Sequence, residues 1–320
     1  MSAINGVNFL ALKTWWPPQL VAQKHPSVAF SRKLAKFLVT LYLIRILNRY
    51  ISQAKQNNWV RARPWVASKE LVLLTGGSSG IGKQIMLDLA NLEVKVIIFD
   101  VEEPESPLPP NVFFYNVDIT SPTTIHEAAT QIRRNHGNPT VLINNAGVGY
   151  RANMIEEPES NIRQTLDVNM LSHFWMVKEF LPAMIRSDHG HIVIIASMAS
   201  FAGLGGMADY ACSKAGVLAF HESLTQQVRH AYAAKRIRTS IIHPTCVQTP
   251  LVNDLRTDSA QTRNFVLSAD DVSRAVVRQL VRGNGGQVVV PRWLGVASMV
   301  RGLPGWLQEM VRDRYSRCVA

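Results

Sequence analysis

The stretch "LVLLTGGSSGIGKQIMLDLANLE", residues 71–93, decides the reading of this chain. Five residues without a charge end in a threonine, four glycines follow within seven positions, and a helix-compatible segment begins at once. A buried strand that turns sharply into a helix is the simplest structure for such a pattern. Gly76, Gly80 and Gly82 let the backbone turn tightly and approach a phosphate group, and the following helix offers unpaired N–H groups at its start.

Outward from that unit the pattern repeats. Short apolar runs, "KVIIF" (95–99), "VFFYNV" (112–117), "TVLIN" (140–144), "HIVIIAS" (191–197), "RTSIIH" (238–243) and "QVVVP" (287–291), predict strands. Helical stretches are expected near 82–92, 122–135, 160–186, 209–232 and 269–282, and the Pro-rich "EEPESPLPP" (102–110) reads as a loop. Near-continuous Val/Ile/Leu runs are what a sheet covered on both faces requires. The fold class is therefore α/β, a Rossmann-type doubly wound parallel sheet of about seven strands.

The glycine spacing is GxxxGxG, and here the chain resembles the short-chain dehydrogenase/reductase family over roughly residues 69–291. Further landmarks occur in order: "NVD" with Asp118, "NNAG" at 144–147, Asn169, Ser197, Tyr210 with Lys214, and "HPTCVQT" at 243–249. The resemblance implies a nicotinamide-dependent oxidoreductase. Its candidate catalytic residues are Asn169, Ser197, Tyr210 and Lys214. Such chemistry needs a proton donor or acceptor at the substrate oxygen, because the cofactor carries the hydride. Tyr210 fills that role if the ammonium of Lys214, four residues on, draws its pKa down from about 10. Ser197 would hold the substrate oxygen, and Asn169 a water joining Lys214 to solvent.

The candidate cofactor-binding set is Gly76, Ser78, Ser79, Gly80, Ile81 and Gly82 in the first loop, with Asp100 at the end of the second strand. By family similarity it extends to Asp118 and Ile119 at the adenine, to Asn144, Ala146 and Gly147, to Tyr210 and Lys214, and to Val247 and Thr249 at the carboxamide. Asp100 suits a ribose diol and repels a 2'-phosphate, so NAD is expected over NADP. Thr245 departs from the glycine usual after that proline. Met198 and Phe201 are expected to line the substrate pocket, and residues 250–265 to form its lid. His173, His191 and His243 lie in apolar runs and read as structural, no metal site is expected, and Cys212, Cys246 and Cys318 read as reduced thiols.

The chain has 320 residues and a formal net charge of +11, and its charge is segregated. Residues 1–69 carry eleven Lys or Arg and no acid, whereas the remaining 251 residues hold 23 of each sign. A neutral body excludes nucleic acid as its partner. Residues 1–68 read as a basic, apolar extension, 69–291 as the dehydrogenase domain and 292–320 as an amphipathic tail. Within the extension, residues 28–52 predict one helix. Its longest uncharged run, Phe37 to Ile44, covers about 12 Å of a hydrocarbon core of about 30 Å. That favours an anchor lying in the interface, with "TWWPPQL" (14–20) at headgroup level. The tail offers a second contact.

The segments 168–185 and 189–197 resemble the membrane-associated subset of retinol and 17-beta-hydroxysteroid dehydrogenases. That resemblance implies an apolar alcohol or ketone substrate, a homodimer, and residence at the endoplasmic reticulum or a lipid droplet. Three alternatives stay open at this point: a 3-ketosphinganine reductase-like NADPH enzyme, a mitochondrial dehydrogenase whose extension is a presequence, and a lipid-droplet surface protein using the fold to bind.

Overall fold

The computed structural model describes residues 26–250 and 266–319, with side chains from 31 to 313. The expected lid from 251 onward and the "TWWPPQL" segment lie outside the described residues. Residues up to Ile51 form one compact unit and those from Ser52 another.

The second unit is built on seven parallel strands: β1 (Leu71–Thr75), β2 (Lys95–Asp100), β3 (Val112–Asn116), β4 (Val141–Asn144), β5 (His191–Ile195), β6 (Arg238–Pro244) and β7 (Gly286–Val290). Their order is β3-β2-β1-β4-β5-β6-β7. The order reverses between β1 and β4, and in such sheets ligands bind beyond the carboxyl ends of the strands at that reversal. Each predicted strand is present, within two residues at its ends. Chain direction and the sheet's two faces follow from the side-chain period of two. Leu71, Leu73, Ile97, Phe99, Leu142, Ile192, Ile194 and Ile241 pack on one face. Val72, Leu74, Val96, Ile98, Val141, Ile143, Val193, Ile195 and Ile242 pack on the other.

The first face is covered by α3 (Pro122–Asn135), α5 (Ser172–Ser187) and α6 (Ala208–Gln226). The second is covered by α2 (Gly80–Asn91) and α7 (Ala269–Arg282). Local chemistry sets their ends: Ser121 caps α3 ahead of Pro122, and Ser268 and Asp271 form a capping box on α7. One predicted helix, 160–186, is interrupted. It consists of α4 (Glu159–Leu166), a π-turn at Asp167–Leu171, and α5. Such π-bulges recur at functional sites, and this one carries Asn169.

The first unit contains most of α1 (Pro26–Gln56), where residues 31–52 are all exposed, including Phe37, Leu38, Tyr42, Leu43 and Leu47. Among the described residues no helix is long and apolar enough to cross a membrane. From Gln53 the chain is tied to the amino ends of β6 and β7. Gln53 donates to the Gly285 carbonyl at 3.0 Å, Gly285 N–H donates to Asn57 Oδ1 at 2.8 Å, and the buried Arg238 guanidinium donates to the Val60 carbonyl. The tail follows β7 as a 3₁₀ segment (Arg292–Gly302) and α8 (Gly305–Val319).

Candidate active site

The glycine loop leaves β1 at Thr75. Gly76 has φ +67°, and a Cβ there would lie 2.7 Å from the Ala146 Cα. A Cβ on Gly82 would lie 1.9 Å from the Gly76 carbonyl oxygen, so this turn closes only on glycine. Ser79 precedes α2 in extended backbone without a side-chain cap, and the first N–H groups of that helix are left for an anionic group. The loop is held from below by Asn145, which sequence reasoning passed over. Its Nδ2 donates to the carbonyls of Thr75 and Gly76 at 3.1 and 2.9 Å. The N–H groups of Asn145 and Ala146 both donate to Thr75 Oγ1. The adjacent "NNAG" segment was the available signal.

Asp100 ends β2 beside this loop. Its carboxylate accepts from Ser78 N–H at 2.9 Å and from Val101 N–H at 2.9 Å, while Ser78 Oγ donates to the Glu102 carbonyl. Asp118 is exposed and accepts from Thr120 through both N–H and hydroxyl. The Ile119 side chain belongs to the core with Val117 and Ile125. Asn144 is buried, and neither polar atom of its amide has a hydrogen-bond partner. Buried amides are rarely left so, and this one faces an open requirement for a ligand or water. From the far side Thr249 reaches the loop: a Cβ on Gly80 would meet its Cγ2 at 3.2 Å. Val247 is buried and bridges to Leu267. A glycine cradle, a free helix start and an orphaned amide fit a dinucleotide.

Asn169, Ser197, Tyr210 and Lys214 come from the π-turn, the end of β5 and the first turns of α6. Asn169 is fully buried, accepting from Val148 N–H at 2.8 Å and donating to the Val148 carbonyl at 2.7 Å and to Ser213 Oγ at 3.3 Å. Its side chain thus clamps the loop after β4. A Cβ on Gly147 would lie 3.3 Å from Asn169 Oδ1 and 3.7 Å from Lys214 Nζ. Lys214 is buried and donates to the Ile195 carbonyl at 3.2 Å. Ser197 is hydrogen-bonded to Tyr210, and its Oγ accepts from Ala199 N–H at 3.2 Å.

The electrostatics differ from expectation at one point. Burial lowers Lys214 to about 8, because an ammonium removed from water loses hydration. Burial pushes the Tyr210 phenol up, opposed by the Ser197 hydrogen bond. Lys214 Nζ lies over the Tyr210 ring, 5.5 Å from its centroid, and donates to the Ile195 carbonyl. Cys246, another residue sequence reasoning left among inert thiols, flanks the phenol closely enough that a thiolate there would raise it further.

Met198 and Phe201 do not line an open pocket as expected. Both are buried with Val289 under Leu294 and Ala297 of the tail, where they form a small core of their own. The tail is held there by Arg301, which donates to the Ser200 and Phe201 carbonyls. No group of metal-ligating side chains occurs among the described residues.

A model of the short chain dehydrogenases matches residues 70–260, across the glycine loop and the Ser197, Tyr210 and Lys214 cluster. The chain belongs to the short-chain dehydrogenase family. Short-chain dehydrogenases act on CH–OH groups with NAD or NADP, and this chain is one such oxidoreductase. It is similar to Dehydrogenase RED2 of Cochliobolus heterostrophus, 41% identical over 70% of this chain and 86% of that protein. It is also 30% identical to human 17-beta-hydroxysteroid dehydrogenase 13, over 81% of this chain and 86% of that one. Among solved short-chain dehydrogenase folds, 3-ketoacyl-(acyl-carrier-protein) reductase from Brucella melitensis complexed with NADH superposes with a TM-score of 0.62. It is 20% identical, and the match covers 70% of this chain and 98% of that one.

Proposed function

We propose that this enzyme interconverts an apolar alcohol and its ketone or aldehyde at a membrane surface, with NAD preferred over NADP. The observation that carries the reading is the convergence of Ser197, Tyr210, Lys214 and Asn169 beside an orphaned Asn144 and the glycine cradle. When bound, the nicotinamide supplies the hydride chemistry. The glycine loop and the start of α2 hold the pyrophosphate, Asp100 the adenosine ribose, Asp118 and Ile119 the adenine side, and Val247 and Thr249 the carboxamide side.

In the oxidation direction Tyr210, as phenolate, would take the alcohol proton, with the bound oxidised nicotinamide as the acceptor for the carbinol hydride. Ser197 donates a hydrogen bond to the same substrate oxygen and to the charge that develops there. Lys214 steadies the phenolate, and Asn169 would position a water that links Lys214 to solvent. Reduction runs the same contacts backward, with Tyr210 as the acid.

The apolar substrate and the surface follow from the ends of the chain. On α1 exposed apolar side chains share the surface with Lys33, Lys36, Arg45 and Arg49, a basic and apolar surface suited to a membrane. Val296, Met299, Trp306 and Met310 of the tail are exposed as well. Relatives named as 17-beta-hydroxysteroid dehydrogenases support an apolar alcohol. Residence at the endoplasmic reticulum or a lipid droplet fits such a surface. A homodimer across α5 and α6 fits the exposed Phe174, stacked edge-on against Phe220 at 4.6 Å.

The test is detergent-purified protein assayed for reduction of NAD and NADP with steroid, retinoid, polyprenoid and fatty alcohols beside short water-soluble ones. Turnover confined to the apolar group supports the reading. Turnover only of small polar alcohols contradicts it.

A further inference from the structure

The strand that delivers Ser197 runs out of sheet just before it. Ala196 N–H still donates to the Ile242 carbonyl of β6 at 2.8 Å, but the next ladder position on β6 belongs to Pro244, which has no N–H to give. The Ser197 peptide therefore projects past the last ladder bond. Its carbonyl is held by a side chain and by the following turn: His243 Nδ1 lies 3.0 Å from it, and Ser200 N–H shares the same oxygen at 3.0 Å.

Because a carbonyl only accepts, Nδ1 must carry the proton, which fixes the tautomer and leaves a lone pair on Nε2. His243 is completely buried, its Nε2 has no hydrogen-bond partner, and its ring rests at 4.5 Å on Phe201, four residues past Ser197. The ring thus grips both ends of the segment 197–201. The charged or titratable neighbours that bear on it are Lys214 and His221. Burial, and the nearby Lys214 charge, hold His243 down to about 4, so the ring is neutral under working conditions.

We infer that His243 is a positioning residue for Ser197: through its Nδ1–H it holds the Ser197 carbonyl just beyond the last ladder bond, and so fixes the Ser197 hydroxyl at the substrate oxygen and at Tyr210. The inference rests on the proposed role of Ser197. A small polar donor is needed at one definite distance from the backbone, which is why a histidine occurs in an otherwise apolar strand end.

The test compares His243→Asn, His243→Gln and His243→Leu in the full-length enzyme. The Asn amide presents its donor at the same bond count as Nδ1, whereas Gln places it one bond farther out. We expect kcat for alcohol oxidation to fall about tenfold or more in His243→Leu and His243→Gln and to return to within about threefold in His243→Asn, with the nicotinamide KM unchanged. Since the Ser197 hydrogen bond holds the Tyr210 phenol down, the rise of kcat with pH should move to higher pH in His243→Leu and not in His243→Asn. The decisive arm is the cycle with Ser197→Ala: on that background His243→Leu should cost less than twofold further. An equal loss in the presence and absence of the Ser197 hydroxyl, or an Asn variant as poor as Leu, overturns the inference. If all three single variants of His243 fail but Ser197→Ala retains wild-type kcat, the proposed role of Ser197 itself fails.

Discussion

The Lys214 ammonium donates to the Ile195 carbonyl across 3.2 Å, which ties the catalytic helix to the strand that ends two residues before Ser197. The bond explains why a buried lysine is tolerated: one donor is satisfied by the sheet, and in the proposed mechanism others would serve the cofactor ribose and a proton path. Burial holds this lysine near 8 rather than its usual 10.5. Lys214→Met should therefore lower kcat by about 10² or more, since the cation that supports the phenolate is lost. Lys214→Arg keeps a charge of the wrong shape and should recover only part of it. Steady-state kinetics at pH 7 to 10 checks both, and full activity in Lys214→Met would remove the lysine from the proton path.

Asp100 has two tasks that pull apart. Its carboxylate takes Ser78 N–H of the glycine loop, and in the proposed complex it also faces the ribose hydroxyls. Asp100→Ala should raise the NAD KM about tenfold or more and narrow the preference for NAD over NADP, as repulsion of a 2'-phosphate disappears. Measuring kcat/KM for both cofactors decides it. A wild-type enzyme that prefers NADP would show that Asp100 is a loop brace and no more.

Truncation distinguishes the anchor from its root. Removing residues 1–51 should shift the protein from the membrane pellet to the supernatant while leaving kcat with a detergent-dispersed alcohol nearly unchanged. Removing residues 1–63 should also destabilise the body, because Arg238 loses the Val60 carbonyl and Gly285 loses Asn57. The guanidinium keeps the Gly283 and Lys235 carbonyls, so the loss is that of one charge-assisted hydrogen bond, about 1.5 to 3 kcal/mol, and of the Asn57 contact. Pelleting assays and thermal melts separate the two truncations, and an unmoved pellet would assign membrane contact to the tail.

Four buried histidines make the fold sensitive to acid. Burial lowers His173 and His191 to about 3 and His221 and His243 to about 4, against about 6.5 in the unfolded chain. The unfolded state then binds more protons below pH 6.5, so stability is complete above that value and is lost as pH falls toward 4. At pH 5.5 each contributes roughly 1 kcal/mol of loss. Melting temperature should drop steeply between pH 7 and 5.5, and less steeply in His191→Gln, whose amide can keep the contact to Ser240 Oγ now made by Nε2 at 2.9 Å. A flat profile would mean that these rings accept protons in place.

The fold was legible because its signals are local. Val and Ile runs, a Ser cap before Pro122 and a glycine loop between strand and helix each announce themselves within a few residues. The candidate catalytic side chains were legible by family spacing. What escaped notice depends on contacts between distant segments: Asn145 reaching back to Gly76, His243 meeting Ser197 at the end of a neighbouring strand, and Cys246 beside Tyr210. Met198 and Phe201 were misassigned for the same reason, since the tail that buries them follows about a hundred residues later. The π-turn at Asn169 left no mark in an apolar helix pattern, because a single extra residue does not alter the hydrophobic period enough to be read.

The account rests most directly on Tyr210 as the group that moves the proton. The measurement is NAD reduction by the best apolar alcohol, wild type against Tyr210→Phe, in enzyme shown by thermal melting to be folded. The phenyl ring keeps the packing under Gly149 and over Lys214 and removes only the hydroxyl. The account predicts a fall in kcat of about 10² to 10⁴ with the NAD dissociation constant unchanged. A Tyr210→Phe enzyme that turns over at the wild-type rate would contradict it.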